Sequence, residues 1–283
     1  MLLAILLLAL QVSPPASQKE VLISQLATQR LLATERIDQY ETVLRVVTRR
    51  TTFENRWQVN QPIKPDYLNL FVLRSGLRNQ QNLPTGITEL FGSCSYLGEK
   101  NIVVCDEQFV NSFLEKHHVR DLLRSRPDEA REWQRHNTAF LLWILGHELG
   151  HIIKRHEASH FSADNLETVV ASSSISHQRE LAADSFLVEQ IGADSETSLS
   201  LIRMILDLLN AEIREKVGSD LPAGVGIFFD YNNTNVVKYM RLGTHPEYVV
   251  RLTRILQQLG NLKGNESLKA MADEFARHMR EGA

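Results

Sequence analysis

From Gln18 to Arg50 apolar residues recur at three- and four-residue steps. Val21, Leu22, Leu26, Leu31, Leu32, Ile37, Val43, Leu44 and Val47 stand amid Gln, Glu and Arg. That period puts them on one helical stripe, and the whole stretch is expected to be helix. After Pro62 and Pro65 the pattern shortens. LNLFVLR and NIVVC are apolar, β-rich runs bounded by GLRNQQNLPTG and LGEK, which predicts the strands and turns of a small sheet. The helical period returns from Pro127, a residue tolerated in a first turn, with Ser125 and Asp128 as the capping pair around it. No breaker follows until beyond His156, so one helix is expected to carry that whole stretch. ASSSIS, Ala171 to Ser176, reads as a break before a second helix, HQRELAADSFLVEQIG, closed by Gly192. A third helix is expected from about Glu196 to Lys216, and DLPAGVGIFFDYNNTN after it as loop. Thr244 and Glu247 bracket a capping box for a helix ending near Gly260, and a last amphipathic helix is expected over Asn265 to Arg280.

The fold class this order predicts is α+β, mostly α, with a small sheet. The division expected is 1–17 as a signal peptide or anchor, 18–66 as a helical extension and 67–283 as one catalytic domain. MLLAILLLAL is too short to span a bilayer core of ~30 Å, but it suits the apolar region of a signal peptide. Export to the periplasm or cell envelope is the favoured reading, and an uncleaved membrane-proximal anchor is the alternative.

The 283 residues are 43% hydrophobic, which suffices for a substantial core, and the net charge of −3 comes from mixed charges with no basic stripe. Nucleic acid is therefore not an expected partner. Cys94 and Cys105 are too far apart for a zinc ribbon, and LGEK between them predicts a turn placing them on neighbouring strands. In an exported chain they would form a disulfide, whereas in a cytosolic one they would be two buried thiols. Asn232 and Asn265 begin N-x-S/T triplets, which matter only in a eukaryotic secretory pathway.

FLLWILGHELGHIIKRH, Phe140 to His156, holds the chemistry. Residues four apart share a helical face, so His147 and His151 aim two imidazoles at one point where they can ligate one metal. Glu148 is turned about 100° away around the helix, where it serves as a base for water on that metal rather than as a ligand. Leu141, Leu142, Ile144, Leu145, Leu149 and Ile152 demand burial, and buried histidines need partners. Gly150 leaves room for another element to cross closely.

A catalytic zinc usually has three protein ligands. The metzincin pattern is excluded because Lys154 and Glu157 stand where it needs glycine and histidine. His156 and His160 are read as solvent-facing continuations of the helix. Glu180 in RELAADSF is the strongest third ligand, with Asp184 one turn on to hold a metal-bound imidazole by its other nitrogen.

HELGHIIKRH, ELAAD and THPEYVVRL in that order resemble the HtpX-like and Oma-type zinc metallopeptidases, including the periplasmic quality-control proteases of the BepA and LoiP kind. The resemblance covers roughly Gly98 to Gly260. It implies a zincin-like core, one Zn2+ held by His147, His151 and Glu180, Glu148 as base, and Asp184 behind the ligands. It also places His245 and Arg251 beside the active site and implies polypeptide substrates, unfolded or damaged envelope proteins among them. Only 28 residues separate His151 from Glu180, shorter than that family's usual interval, and the membrane helices of its prenyl-protease members are missing, which argues against prenylated substrates. His245, at the first turn of its helix, is expected to be neutral and either to hydrogen-bond the reaction intermediate or to block the metal. A strand near Asn101 to Val104 is expected at a sheet edge, where extended substrate could pair. The rival reading is a latent or chaperone-like zinc module that holds protein partners without turnover.

Overall fold

A computed structural model describes residues 31–74, 91–97, 101–124, 126–156, 166–192, 194–217 and 246–263, with a few isolated positions up to 273. Its elements are α1 (Ile37–Val47), β1 (Trp57–Val59), β2 (Leu68–Leu73), β3 (Cys94–Tyr96), β4 (Ile102–Asp106), α2 (Phe109–Lys116), α3 (Val119–Leu123), α4 (Glu129–Ile153), α5 (Leu166–Ile191), α6 (Ser195–Val217) and α7 (Pro246–Lys263). The α+β, mostly helical class expected from the sequence is the one observed. Residues 1–30, the stretch from Asp220 to His245 and most of 265–280 lie outside the described residues, and with them the leader, Thr244, His245 and most of the last helix. No described helix is long and apolar enough to cross a membrane.

The sheet order is β1-β2-β4-β3, with β3 antiparallel to β4 and the other neighbours parallel. Every residue of β2 and β4 is buried, because successive side chains point to opposite faces and both faces are covered. Leu68, Leu70, Val72, Val103 and Cys105 join the core shared with the helices, while Phe71, Leu73, Ile102 and Val104 pack against Leu31 and Leu97 behind the sheet. β4 is thus an interior strand, which corrects the expectation of an edge near Asn101 to Val104. The outer strand on that side is β3. Cys94 and Cys105 lie directly opposite each other on β3 and β4 and form a disulfide. With a sequence separation of 11, it is worth about 2–3 kcal/mol through constraint of the unfolded chain.

Among the described residues, the helix expected over Gln18 to Arg50 covers only Ile37–Val47. Leu31 to Ala33 run extended along β2 instead. Ala33 N–H donates to Val72 O at 2.8 Å and Arg74 N–H donates to Leu31 O at 2.8 Å. β1 pairs only with Leu68 to Leu70, and residues 31–33 take over where it stops, so tertiary pairing overrides the helical period of Leu31 and Leu32. Asn60 fastens the junction by donating from Nδ2 to Ala33 O and accepting at Oδ1 from Val72 N–H, both at 2.8 Å.

α4 is the central helix, buried around most of its circumference from Phe140 to Ile152, as an apolar helix with no polar face must be. Asp128 is its N-cap but makes no side-chain cap bond; its carboxylate pairs with Arg131 instead, and Ser125 lies outside the described residues. α4 stops at Ile153, earlier than expected. α5 runs unbroken through ASSSIS, a second correction: serine lowers helix propensity only mildly, and no Gly or Pro enforces a break there. Glu180 therefore sits inside a long helix rather than at the start of a new one.

Away from the histidine cluster, Asp207 on α6 locks α4 to the segment before it. Arg126 donates to both its oxygens at 2.8 and 2.6 Å, and His136 Nε2 lies 2.9 Å from Oδ2. Burial favours the neutral acid, but the bonds from His136 and Arg126 outweigh it and hold the Asp207 carboxyl below its ordinary value. A carboxyl depressed in the folded state contributes stability above its unfolded pKa of about 3.9 and loses it as pH falls through the folded value. Asp207→Asn is expected to cost about 2–3 kcal/mol at pH 7 and to flatten the acid limb of a melting-temperature profile below about pH 4. Equal slopes for variant and wild type in that limb would show that the carboxylate does not carry the acid sensitivity.

Candidate metal centre

The histidines that the sequence places on one helical face do converge. His147 Nε2 and His151 Nε2 lie 3.0 Å apart. Glu180, brought in from α5, puts Oε2 3.1 Å from the first and Oε1 3.3 Å from the second. Around a tetrahedral zinc with bonds of about 2.0–2.1 Å, neighbouring donor atoms stand about 3.3 Å apart. The His147, His151 and Glu180 group is therefore spaced as three ligands of one ion would be, and its donors match a borderline metal.

Why these two helices meet so closely is read from Gly150. A Cβ there would lie 2.7 Å from the carbonyl oxygen of Ala183 and 2.8 Å from its Cα. Backbone cannot give way, so only glycine lets α5 approach with Glu180 and Asp184 on the facing side. Gly150→Ala is expected to gain about 1 kcal/mol in helix propensity and lose about 2–3 to the clash. The result should be a lower urea midpoint and weaker metal binding. Gly146→Ala should be milder, since its Cβ would meet the movable side chain of Leu187.

Behind this trio stands Asp184, buried and fully occupied. Oδ1 lies 3.0 Å from His147 Nδ1 and accepts from Trp143 Nε1–H at 3.0 Å. Arg251 on α7 donates through Nε to Oδ2 at 2.7 Å and through Nη2 to Oδ1 at 3.0 Å, and its Nη1 lies 3.0 Å from Glu180 Oε2. Arg251 Nη2 also touches the His147 ring, 2.9 Å from Nδ1 and 3.2 Å from Nε2. A divalent cation would bring the charges of Glu148, Glu180, Asp184 and Arg251 into balance, as a largely buried cluster requires.

The protonation tendencies follow from these contacts. Burial works against a charged His147, but bonds to Asp184 and Glu180 overcome it and push the ring up to about 9. Burial likewise opposes charge on Asp184 and Glu180, yet the histidine bonds, with Arg251, hold both carboxyls well below the usual range. Burial would pull the Arg251 guanidinium down; Asp184 and Glu180 raise it instead. Glu148 goes the other way. Burial pushes its carboxyl up, against the opposing pull of His147, His151 and the Tyr96 amide, which donates to Oε2 at 2.7 Å. A carboxyl raised towards neutrality beside a group able to hold a metal is what proton transfer needs.

Of the residues singled out from the sequence, His147, Glu148, His151, Glu180, Asp184 and Arg251 are brought together, and His245 lies outside the described residues. His156 does not continue the helix towards solvent but folds back, its Nδ1 3.0 Å from His151 Nδ1. Burial, then the neighbouring His151 and Arg179 charges, bring its ring down to about 4. Trp143 was not singled out, although its place one turn before His147 could have suggested it. The Tyr96 amide could not be found from sequence, since a backbone donor leaves no residue signature. No family model, curated protein or solved structure matches this chain.

Proposed function

We propose that the chain is a zinc-dependent endopeptidase of the HtpX-like and Oma-type kind, with a zincin-like core, acting on unfolded or damaged polypeptides of the cell envelope. The observation that carries this reading is the ligand-spaced trio of His147, His151 and Glu180 with the carboxyl of Glu148 beside it. Zinc bound there would supply Lewis acidity, lowering the pKa of a water to about 7 and polarising a peptide carbonyl. His147 and His151 would hold it from α4 and Glu180 from α5. Glu148 takes the proton from the attacking water and returns it to the leaving amine, and the Tyr96 amide keeps its carboxyl aimed. Extended substrate adding to β3, the outer strand, would pass alongside Glu148 through backbone pairing, giving loose sequence preference. The Cys94–Cys105 disulfide supports an oxidising, exported setting.

The test is metal content together with casein cleavage by the purified full chain. About one zinc per chain, with cleavage abolished by chelation and restored by zinc, is expected. Zinc without any cleavage would favour the module that holds partners without turnover. A chain that takes up no zinc would sink the reading.

A further inference from the structure

The end of α4 has a defined hydrogen-bond pattern. Arg155 N–H donates to Ile152 O at 3.1 Å, and His156 N–H reaches back to His151 O at 2.9 Å. Arg155 between them is left-handed, with φ 54°. These two bonds around a left-handed residue are the Schellman motif, which commonly brings the last residue of the motif against the side chain whose carbonyl it reaches. That contact is usually apolar. Here it joins His156 to His151, whose Nδ1 atoms are 3.0 Å apart with ring centres at 5.0 Å.

Two imidazole nitrogens at that distance share one hydrogen, one carrying it and the other accepting. The far side of His151 decides which. Its Nε2 points at the cluster, 3.0 Å from His147 Nε2 and 3.3 Å from Glu180 Oε1. A neutral imidazole that gives its Nε2 lone pair to a cation carries its proton on Nδ1. The atom waiting for that proton is His156 Nδ1.

We infer that His156 is a positioning residue of the metal centre: its Nδ1 accepts from His151 Nδ1–H and so fixes the tautomer and ring angle of the second ligand. The inference rests on reading His147, His151 and Glu180 as a metal site. Asp184 performs the same office for His147 from α5. One ligand is thus oriented by a crossing helix and the other by the stop signal of its own helix. His156 in turn carries its own hydrogen on Nε2.

Zinc affinity of the full chain, measured by competition with a chromophoric chelator, separates the outcomes. His156→Leu keeps comparable bulk without an acceptor, whereas His156→Asn places Oδ1 close to where the imidazole Nδ1 sits. The Leu variant is expected to bind zinc about 10–100-fold more weakly, and the Asn variant to recover to within about threefold of wild type. If the Leu variant does not fold, His156→Ala at this partly exposed position replaces it in the comparison. Wild-type affinity in the Leu or Ala variant, or equal weakness in Asn and Leu, overturns the inference while leaving the metal site standing. A wild-type chain that binds no zinc overturns both together.

Discussion

If the chain is the zinc peptidase proposed, Glu148→Gln is expected to keep the zinc and lose about 10²–10⁴-fold in peptide hydrolysis, the usual contribution of a positioned general base. The substitution preserves shape, and the amide oxygen can still accept from the Tyr96 backbone N–H that now bonds Oε2. His147, His151 and Glu180 are left untouched, so metal content should stay near wild type. What is lost is basicity. Burial raises the Glu148 carboxyl from its ordinary value, which makes it a better proton acceptor than an exposed glutamate, whereas an amide offers no such site at all. Single-turnover cleavage of a casein-derived peptide, with zinc measured on the same samples, gives the comparison. Retention of a tenth or more of wild-type activity, on the order of one decade lost, would remove Glu148 from the role of base.

Asp184→Ala should be the most damaging single change to stability, at about 3–5 kcal/mol. The carboxylate is buried and takes hydrogens from Trp143 and Arg251 while facing His147 Nδ1, so removal strands several polar groups at once. Arg251 keeps its contact to Glu180, which places the expectation near the lower end of that range. Zinc affinity should fall about 10–100-fold as well, because the His147 ring loses the group that orients it. Asp184→Asn, which retains one acceptor oxygen, should lie between the two. Urea unfolding with and without zinc would check this, and an Asp184→Ala midpoint equal to wild type would exclude Asp184 as the hub.

The candidate site was largely legible in the sequence because its parts are local. HELGH fixes two imidazoles and a carboxylate on known sides of one helix, and ELAAD fixes a glutamate and an aspartate one turn apart on another. Neither pattern depends on the remainder of the chain. The fold was legible where an element is stabilised by its own pattern, as in β2 and β4, which are apolar except for Asn69 and Asp106. It was misread where a distant partner decides, as at Leu31 to Ala33, which give up a helical period to pair with β2. ASSSIS was misread for a different reason: weak helix formers stop nothing once the flanking turns are in place. The stop after Ile153 has no sequence signature because its left-handed residue is Arg155 rather than the glycine that usually marks such a cap.

By itself the sequence determined which side chains could act on a metal and how each pair is spaced along its helix, since a 3.6-residue period converts numbering directly into direction. Tertiary structure alone decided that the two pairs meet, with Gly150 letting Ala183 approach, Arg251 arriving from α7, and the Tyr96 amide set on Glu148 by β3. Contacts between elements far apart in the chain arise from packing and backbone pairing, and neither leaves a periodic trace in the residues that make them.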